Sequence, residues 1–469
     1  MSTFTRLSFC SSLLLAGIGT ADTILVPSGG DIQAAINIMG DGDTIQLEAG
    51  TYQPESTLDP GGKAVTILGV TDQAGRPLSI IDGRDDIQLI RCSNGEGAGT
   101  VFSNLDVRNS EVNLPGMLNV GSSPTVLNCA FVDNTVGMHN TKGSNPSVAG
   151  CLFTENTTGG DGAGMLNIEN SSPEVTDCLF IENFAASSGG AIANENSNPT
   201  ITNCSFIENR ASNMGSGIYN LNSNPEIRDC WFEGQSSSLA GSGITNWESN
   251  PTINGCTFHR NEDAGIANRD SNPTIMNCTF SENRSSSGQG AGINNANSSP
   301  TVRDCLFIDN FAEMHGGGMN NTGGSPLVIN CTFEANKSNL QGGAIYNRNS
   351  TPTFLDCTIT ENASSLLVPE IPGGGIYSFS DAVATIEGTR VCGNTPGQVI
   401  GDWIDKGGND ITEFCGCVAD INGDGLVDGE DLLLALGFWK TGDPFADVND
   451  DGIVDANDLA IVLEAWGPC

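Results

Sequence analysis

Pro199-Thr200-Ile201-Thr202-Asn203-Cys204-Ser205-Phe206-Ile207-Glu208-Asn209 decides the fold, because the chain writes this phrase repeatedly. Its cysteine recurs at Cys129, Cys151, Cys178, Cys204, Cys230, Cys256, Cys278, Cys305, Cys331 and Cys357, with gaps of 22, 27, 26, 26, 26, 22, 27, 26 and 26 residues. A proline stands five residues before each, from Pro124 to Pro352, and a phenylalanine two residues after nine of them, with Ile359 in the tenth. An asparagine follows five residues after each, Gln235 being the exception. A [Gly/Ala]-[Ile/Met]-x-Asn element, as in Gly217-Ile218-Tyr219-Asn220, completes each unit. A period of about 20–50 residues means a solenoid or a propeller.

The pattern inside one unit chooses between them. Ile201 is apolar, Cys204 and Phe206 share the opposite parity, and Ile218 follows after a polar loop. Three short alternating stretches broken by bends at Asn and Gly predict one triangular turn of a parallel β-helix. A propeller blade needs four strands and about 40 residues, which these units lack. Each turn then advances by roughly 4.8 Å, so that cysteine stacks on cysteine, phenylalanine on phenylalanine and asparagine on asparagine. The cysteines are expected to be reduced core residues, since parallel side chains in one file meet the disulfide dihedral badly. The asparagines are expected at left-handed bends, bonded to their own turns and to each other.

Composition agrees with this reading. The 469 residues include 18 basic and 56 acidic ones, a net charge of −38, which gives no footprint for nucleic acid or an anionic membrane. Charged residues make up only 16% and aromatics 6%, whereas glycine reaches 60 residues, an all-β, turn-rich composition. Residues 1–21, with Arg6 followed by the apolar run Leu7–Ile18, read as a secretory signal peptide. No other segment is long and apolar enough to span a bilayer. The expected product is therefore secreted or held at the cell surface.

Upstream of the repeat, Asp31-Ile32-Gln33-Ala34-Ala35-Ile36 predicts an amphipathic helix capping the solenoid, with Asp31 as N-cap. Asp41-Gly42-Asp43-Thr44-Ile45-Gln46-Leu47, Val65-Thr66-Ile67 and Ile80-Ile81-Asp82-Gly83 read as the strands of the first rungs. This order resembles the start of pectin-lyase-like right-handed β-helix proteins. The GGAI and FxxN elements of the units also resemble the repeats of chlamydial polymorphic membrane proteins. These resemblances, over about residues 24–395, imply a β-helix fold and a polysaccharide-associated or adhesive role. The expected domains are cap and first turns over 22–110, repeat turns over 111–395, a linker over 396–416 and a small module over 417–469.

That module carries two aligned loops 27 residues apart. Side-chain oxygens fall at positions 1, 3, 5, 9 and 12, and the glycine at 6 permits the sharp turn. In the first loop these are Asp420, Asn422, Asp424, Asp428 and Asp431, with the Leu426 carbonyl at position 7. In the second they are Asp447, Asn449, Asp451, Asp455 and Asp458, with Ile453 at position 7. Such oxygen sets predict two calcium ions. The helix-like runs Leu432–Trp439 and Leu459–Trp466 follow the loops. Two loop–helix halves resemble a type I dockerin, which implies a cohesin-like protein partner. Positions 10 and 11, Gly429-Glu430 and Ala456-Asn457, depart from a duplicated dockerin pattern. So small a core needs staples. Cys417 and Cys469, which bracket the module, are expected to pair, and Cys392 with Cys415 is a second pairing.

No catalytic motif can be quoted. Neither Gly-His-Gly nor Arg-x-Lys occurs, and His315 has Met314 where the motif needs glycine. Loop length offers the one lead. The loop after the FxxN asparagine is shortened to three residues after Asn261, which predicts a notch carrying His259, Arg260, Glu262 and Asp263, with Arg284 one turn on. This notch is the candidate sugar-binding or catalytic cleft of a lyase or glycoside hydrolase. Its alternative is a solvated tight turn on a non-catalytic adhesin anchored by the calcium module. The solenoid is expected to be monomeric.

Overall fold

The computed structural model describes residues 21–238, 241–286, 288–365, 373–416, 419–422, 426–443, 445–449 and 451–468. The chain winds into a right-handed parallel β-helix whose strands stack in three long sheets of 16, 15 and 13 members. Register is strict. Ile201 pairs with Val175 and Ile227 in the first sheet, Phe206 with Phe180 and Phe232 in the second, and Ile218 with Ile192 and Ile244 in the third. Each unit thus sends one large apolar side chain inward from every wall. Burying such a side chain is worth about 1.5–3 kcal/mol, so each turn makes its own share of one continuous core.

Phe131 to Phe333 form a single stack, each ring 4.4–5.1 Å from the next and nearly parallel to it. The ten repeat cysteines lie buried and unbridged, joined by Cys92. Two asparagine ladders run beside them. In the third sheet, side-chain amides link Asn119, Asn140, Asn167 and onward to Asn347, each Nδ2 donating to the next Oδ1 at 2.8–2.9 Å. At the corner after the second sheet, Asn283 Nδ2 donates to Phe258 O one turn back and to Asn310 Oδ1 one turn on. Buried amides remain affordable there because each finds partners above and below.

Four expectations need correction. The corner asparagines do not hold the left-handed bend; the residue before each does, as at Glu155, Glu182 and Glu208. The asparagine side chain points inward to join the ladder, which leaves the strained position to its neighbour. Two-residue strands, Thr157–Thr158 and its successors, add a short fourth wall to some turns. Residues 396–416 are not a linker, because Val399–Ile400, Trp403–Asp405 and Asp410–Thr412 each pair into a long sheet and complete a last turn. The helices after the two acidic loops also start earlier than expected, at Gly429 and Ala456, since Asp428 and Asp455 cap them with full capping boxes.

The cap is as expected. The helix Ile32–Ile38 begins at Asp31, whose side chain accepts from Ala34 N, and it buries Ile32, Ala35 and Ile36 over the open end of the core. It follows strand Thr23–Val26, so it interrupts the first turn instead of preceding it. Cys392 and Cys415 form a disulfide. The expected pair Cys417–Cys469 and signal residues 1–20 lie outside the described residues.

Candidate functional site

Two files of side chains flank the corner after the second sheet. The first file holds the left-handed residues Asp133, Glu155, Glu182, Glu208, Gly234, Arg260, Glu282 and Asp309. The second holds the residue following each corner asparagine. Thr157, Phe184, Arg210 and Ser236 pair in succession, then Glu262, Arg284, Phe311 and Lys337. Between them runs a groove along the solenoid axis with one step per turn, roughly 4.8 Å.

The candidate residues of the charged stretch map onto this groove unevenly. Arg260 stands in the first file; Glu262 and Arg284 stand in the second. His259 sits just outside, on the second sheet, where Nδ1 hydrogen-bonds with Ser281 Oγ at 3.0 Å. Asp263 leaves the expected notch altogether: it is buried and accepts from Ser285 Oγ at 3.0 Å. The charges of this stretch are largely matched. Arg260 Nε meets Glu282 at 2.8 Å, and Arg284 meets Glu313 at 2.8 Å while lying over the Phe311 ring. The hydrogen bond from Arg260 holds the Glu282 carboxyl below its usual range, and Glu282 raises the guanidinium in turn. Exposed pairs of this kind contribute little stability, but they occupy the groups a catalytic acid or base would need free.

Further toward the N-terminus the groove is open. A cleft of about 340 Å³ is lined by Glu182, Phe184, Glu208 and Arg210. Phe184 is 37% exposed, in a file whose neighbours Thr157 and Arg210 are also exposed. Arg210, Glu182 and Glu208 form no ion pair among the described residues. An apolar ring flanked by an unpaired guanidinium and two unpaired carboxylates can stack on one face of a ligand and hydrogen-bond its edges. Sequence reasoning missed these residues, which flank the corner asparagines Asn183 and Asn209 in their own units; only the pairing of successive turns brings them into one file.

The C-terminal module has its own small core of Ala419, Val427 and Val462, with Ile421, Leu432, Ile461 and Ala465 against it. Strand Leu426–Val427 pairs antiparallel with Gly467–Pro468 and ties its ends together. In the second loop Asp447 accepts from Asp451 N and Gly452 N, Asn449 from Asp451 N, and Asp451 from Ile453 N. Asp458 accepts from Asn449 N and Asp455 N. In the first loop Asp431 repeats that role toward Ile421, Asn422 and Asp428, although Asp424 lies outside the described residues. Burial opposes charge on Asp431, but these backbone donors outweigh it and hold the carboxyl below its usual range. Among the described residues no three acidic, histidine or cysteine side chains converge as a ready metal cluster. The donor chemistry nonetheless fits a hard cation: carboxylate, amide and backbone oxygens only, wrapped on loops closed by their own amides.

A sequence family described as right handed beta helix region matches residues 76–222 and 184–333. The Chlamydia polymorphic membrane protein repeat matches residues 330–348. No curated protein matches the chain. Among solved structures, a mannuronic acid specific polysaccharide family 6 lyase from human gut microbiota is 13% identical, covering 78% of this chain and 86% of its own, at a TM-score of 0.41. The catalytic unit of a GH87 alpha-1,3-glucanase from Streptomyces thermodiastaticus is 14% identical over 82% of this chain and 67% of its own, at 0.38. The periplasmic alginate epimerase AlgG is 10% identical over 82% and 85%, at 0.33. No helix among the described residues is long and apolar enough to cross a membrane.

Proposed function

Given that this chain belongs to the right-handed β-helix family, we propose that it is an exported, polysaccharide-associated protein that holds a glycan in its corner groove. The observation carrying this reading is the open cleft of Glu182, Phe184, Glu208 and Arg210. A pyranose offers an apolar face for Phe184 and hydroxyl edges for the guanidinium and carboxylates. Consecutive turns would meet consecutive sugars of an extended chain. Binding of a glycan panel to the full chain tests it: Phe184→Ala and Arg210→Ala should each weaken binding at least tenfold. Unchanged affinity in both variants would remove the groove from the account.

Within this reading, binding without turnover has the better support, because the charges around Arg260 and Arg284 are engaged with one another. That is the adhesin-like alternative. An ultraviolet assay for unsaturated products together with reducing-sugar release decides between them, and any turnover would restore lyase or hydrolase chemistry.

The C-terminal module is read as a two-calcium anchor for a cohesin-like partner. Asp420, Asn422, Asp424, Asp428 and Asp431 with the Leu426 carbonyl would hold one ion. Asp447, Asn449, Asp451, Asp455 and Asp458 with the Ile453 carbonyl would hold the other. Calcium would supply positive charge against the four carboxylates of each loop. The outer surface supports a docking role, since Leu433, Leu436, Phe445, Leu463 and Trp466 are all exposed. Calcium titration of the full chain should show two sites, and Asp447→Ala should remove one.

A further inference from the structure

The corner between the first and second sheets turns on one left-handed residue, as at Asn104, Asn128, Gly150, Asp177 and Asn203. One turn breaks this rule. Between strands Thr66–Leu68 and Ser79–Asp82 the chain inserts a hairpin, closed by the antiparallel bridge from Thr71 to Pro77 and by Leu78 N donating to Val70 O at 2.8 Å. Asp72 stiffens its tip, accepting from Ala74 N, Arg76 N and Arg76 Nε at 2.7–2.9 Å. A loop held this firmly on a rigid scaffold is where binding sites concentrate.

The hairpin overhangs a cleft of about 380 Å³ that opens to solvent. Thr71, Arg76 and Pro77 form its wall, and Ala130 and Leu152, outward residues of two consecutive second-sheet strands, form its floor. Asn104 and Asn128 stand at its rim, and neither side-chain amide has a hydrogen-bond partner among the described residues. Further along the same corner such amides are engaged: Asn203 Nδ2 donates to Asp177 Oδ1, and Asn330 Nδ2 to Asp304 Oδ1. Gly150 makes room for the free amide, since a Cβ there would lie 2.4 Å from Asn128 Oδ1. The Arg76 guanidinium is held by Asp72 at 2.7 Å. The cleft therefore offers two unbonded amides above an apolar floor.

That floor continues beyond the cleft. Leu152 pairs with Leu179 and Thr154 with Ile181, all half-buried and uncharged. Ile181 immediately precedes Glu182, which lines the corner cleft with Phe184. On the turn before Ala130 the same outward positions hold the Asp106–Arg108 ion pair, and on the turn after Ser205 they hold Trp231 and Glu233. The uncharged strip thus covers only the turns that carry the two clefts. Between the clefts lie roughly 10 Å of strand and two turns of roughly 4.8 Å each, a span that a single sugar ring cannot bridge.

We propose that a neutral oligosaccharide crosses the second-sheet face obliquely, one end on Asn104 and Asn128 beneath the hairpin and the other on Phe184. The proposal rests on the glycan-binding reading above and adds to it a second subsite, a direction and a substrate class. Sugar rings would pack their apolar faces on Leu152, Leu179 and Ile181, while hydroxyls bond the two amides. A neutral chain suits an uncharged strip that ends beside two carboxylates, Glu182 and Glu208, on a molecule of net charge −38.

Calorimetry of the full chain with cellohexaose, laminarihexaose and hexagalacturonate tests it. A neutral hexasaccharide should bind as one chain per protein, at least tenfold more tightly than hexagalacturonate. Its disaccharide, too short to join the clefts, should bind at least tenfold more weakly. The double variant Asn104→Gly with Asn128→Gly, and separately Leu152→Ser, should each weaken the hexasaccharide at least tenfold, as should Phe184→Ala. Both asparagines hold left-handed backbone that glycine adopts freely, and an unchanged melting midpoint verifies the fold of each variant. Affinity that falls in Phe184→Ala but holds in the asparagine variant and in Leu152→Ser would overturn the hairpin subsite while the groove stands. Two chains per protein would overturn the crossing. Loss in the asparagine variant without loss in Phe184→Ala would overturn the crossing and remove the groove as well. Tighter binding of hexagalacturonate would overturn the neutral class. Should none of the three hexasaccharides bind wild type, the crossing and the groove fall together.

Discussion

Gln235 is a natural fault in the corner ladder, and repairing it should stabilise the protein. In an intact turn Asn283 Oδ1 accepts from both Asn261 N and Asn261 Nδ2, and Asn283 Nδ2 donates to Phe258 O and Asn310 Oδ1. The longer Gln235 still reaches Phe206 O with Nε2 at 2.8 Å, but its Oε1 is buried without a partner. Asn209, one turn earlier, keeps its bond to Phe180 O and receives no acceptor from Gln235. Gln235→Asn removes one orphaned acceptor, worth about 1–3 kcal/mol, and restores two ladder bonds of roughly 1 kcal/mol each, less the strain of adjusting one corner. The expected gain is about 2 kcal/mol.

The converse substitution is the control. Asn283→Gln copies the fault into a sound turn and should cost about the same 2 kcal/mol, because at both sites the backbone N donates to the next asparagine Oδ1 and the side-chain amide donates to the phenylalanine carbonyl one turn back. Equilibrium guanidinium denaturation followed by circular dichroism measures both. The midpoint should rise for Gln235→Asn and fall for Asn283→Gln, with an unchanged slope. Should Gln235→Asn lower the midpoint or leave it alone while Asn283→Gln lowers it, the ladder is not what makes asparagine necessary here. Asn261 bonds to both sites, so any departure of the double variant from the sum of the two single changes measures their coupling through it.

Three further outcomes follow from the geometry. Burial pushes the Cys357 thiol up to about 11 and Cys92 well above its usual range, so these stay protonated at pH 8; a thiol reagent should find the eleven described free cysteines unreactive in the folded chain and all of them reactive in denaturant. Glu96 is buried, which opposes its charge, but Gly62 N, Asn94 N and Ser122 Oγ each donate to it at 2.8 Å and hold its carboxyl below the ordinary range. A depressed folded-state pKa gives stability that is full above the unfolded value, about 4.3, and is lost as pH falls through the folded one; Glu96→Gln should flatten that acid limb in pH-dependent melting. Finally, Arg260→Ala should leave glycan affinity within about twofold, since its exposed pair with Glu282 contributes little, whereas a tenfold loss would return the charged stretch to the binding site.

What the sequence made legible, and what it did not, follows from which direction a side chain faces. Inward positions repeat because each must match the turn above and below: a phenylalanine stacked between phenylalanines, or an amide between amides, admits few alternatives. Those columns declared the solenoid and the reduced cysteines. Outward positions are free to vary, and in a repeat variation reads as noise. Phe184 and Arg210 each break no rule of their own unit; only the pairing of Phe184 with Arg210 across turns gives them a common groove. The left-handed corner misled for a related reason. Asparagine has the better propensity for that bend, but the ladder requires it one residue later, so the bend falls to Glu155, Glu182 and Glu208. The last turn was lost because it discards the cysteine, phenylalanine and asparagine while keeping strand pairing through Val399, Trp403 and Ile411. A solenoid built this way separates its tasks: the interior columns carry stability turn by turn, and each outward file can acquire a binding group by single substitutions without disturbing them. Function in this chain should therefore be sought where outward residues on neighbouring turns change together, as they do from Thr157 to Phe184 to Arg210.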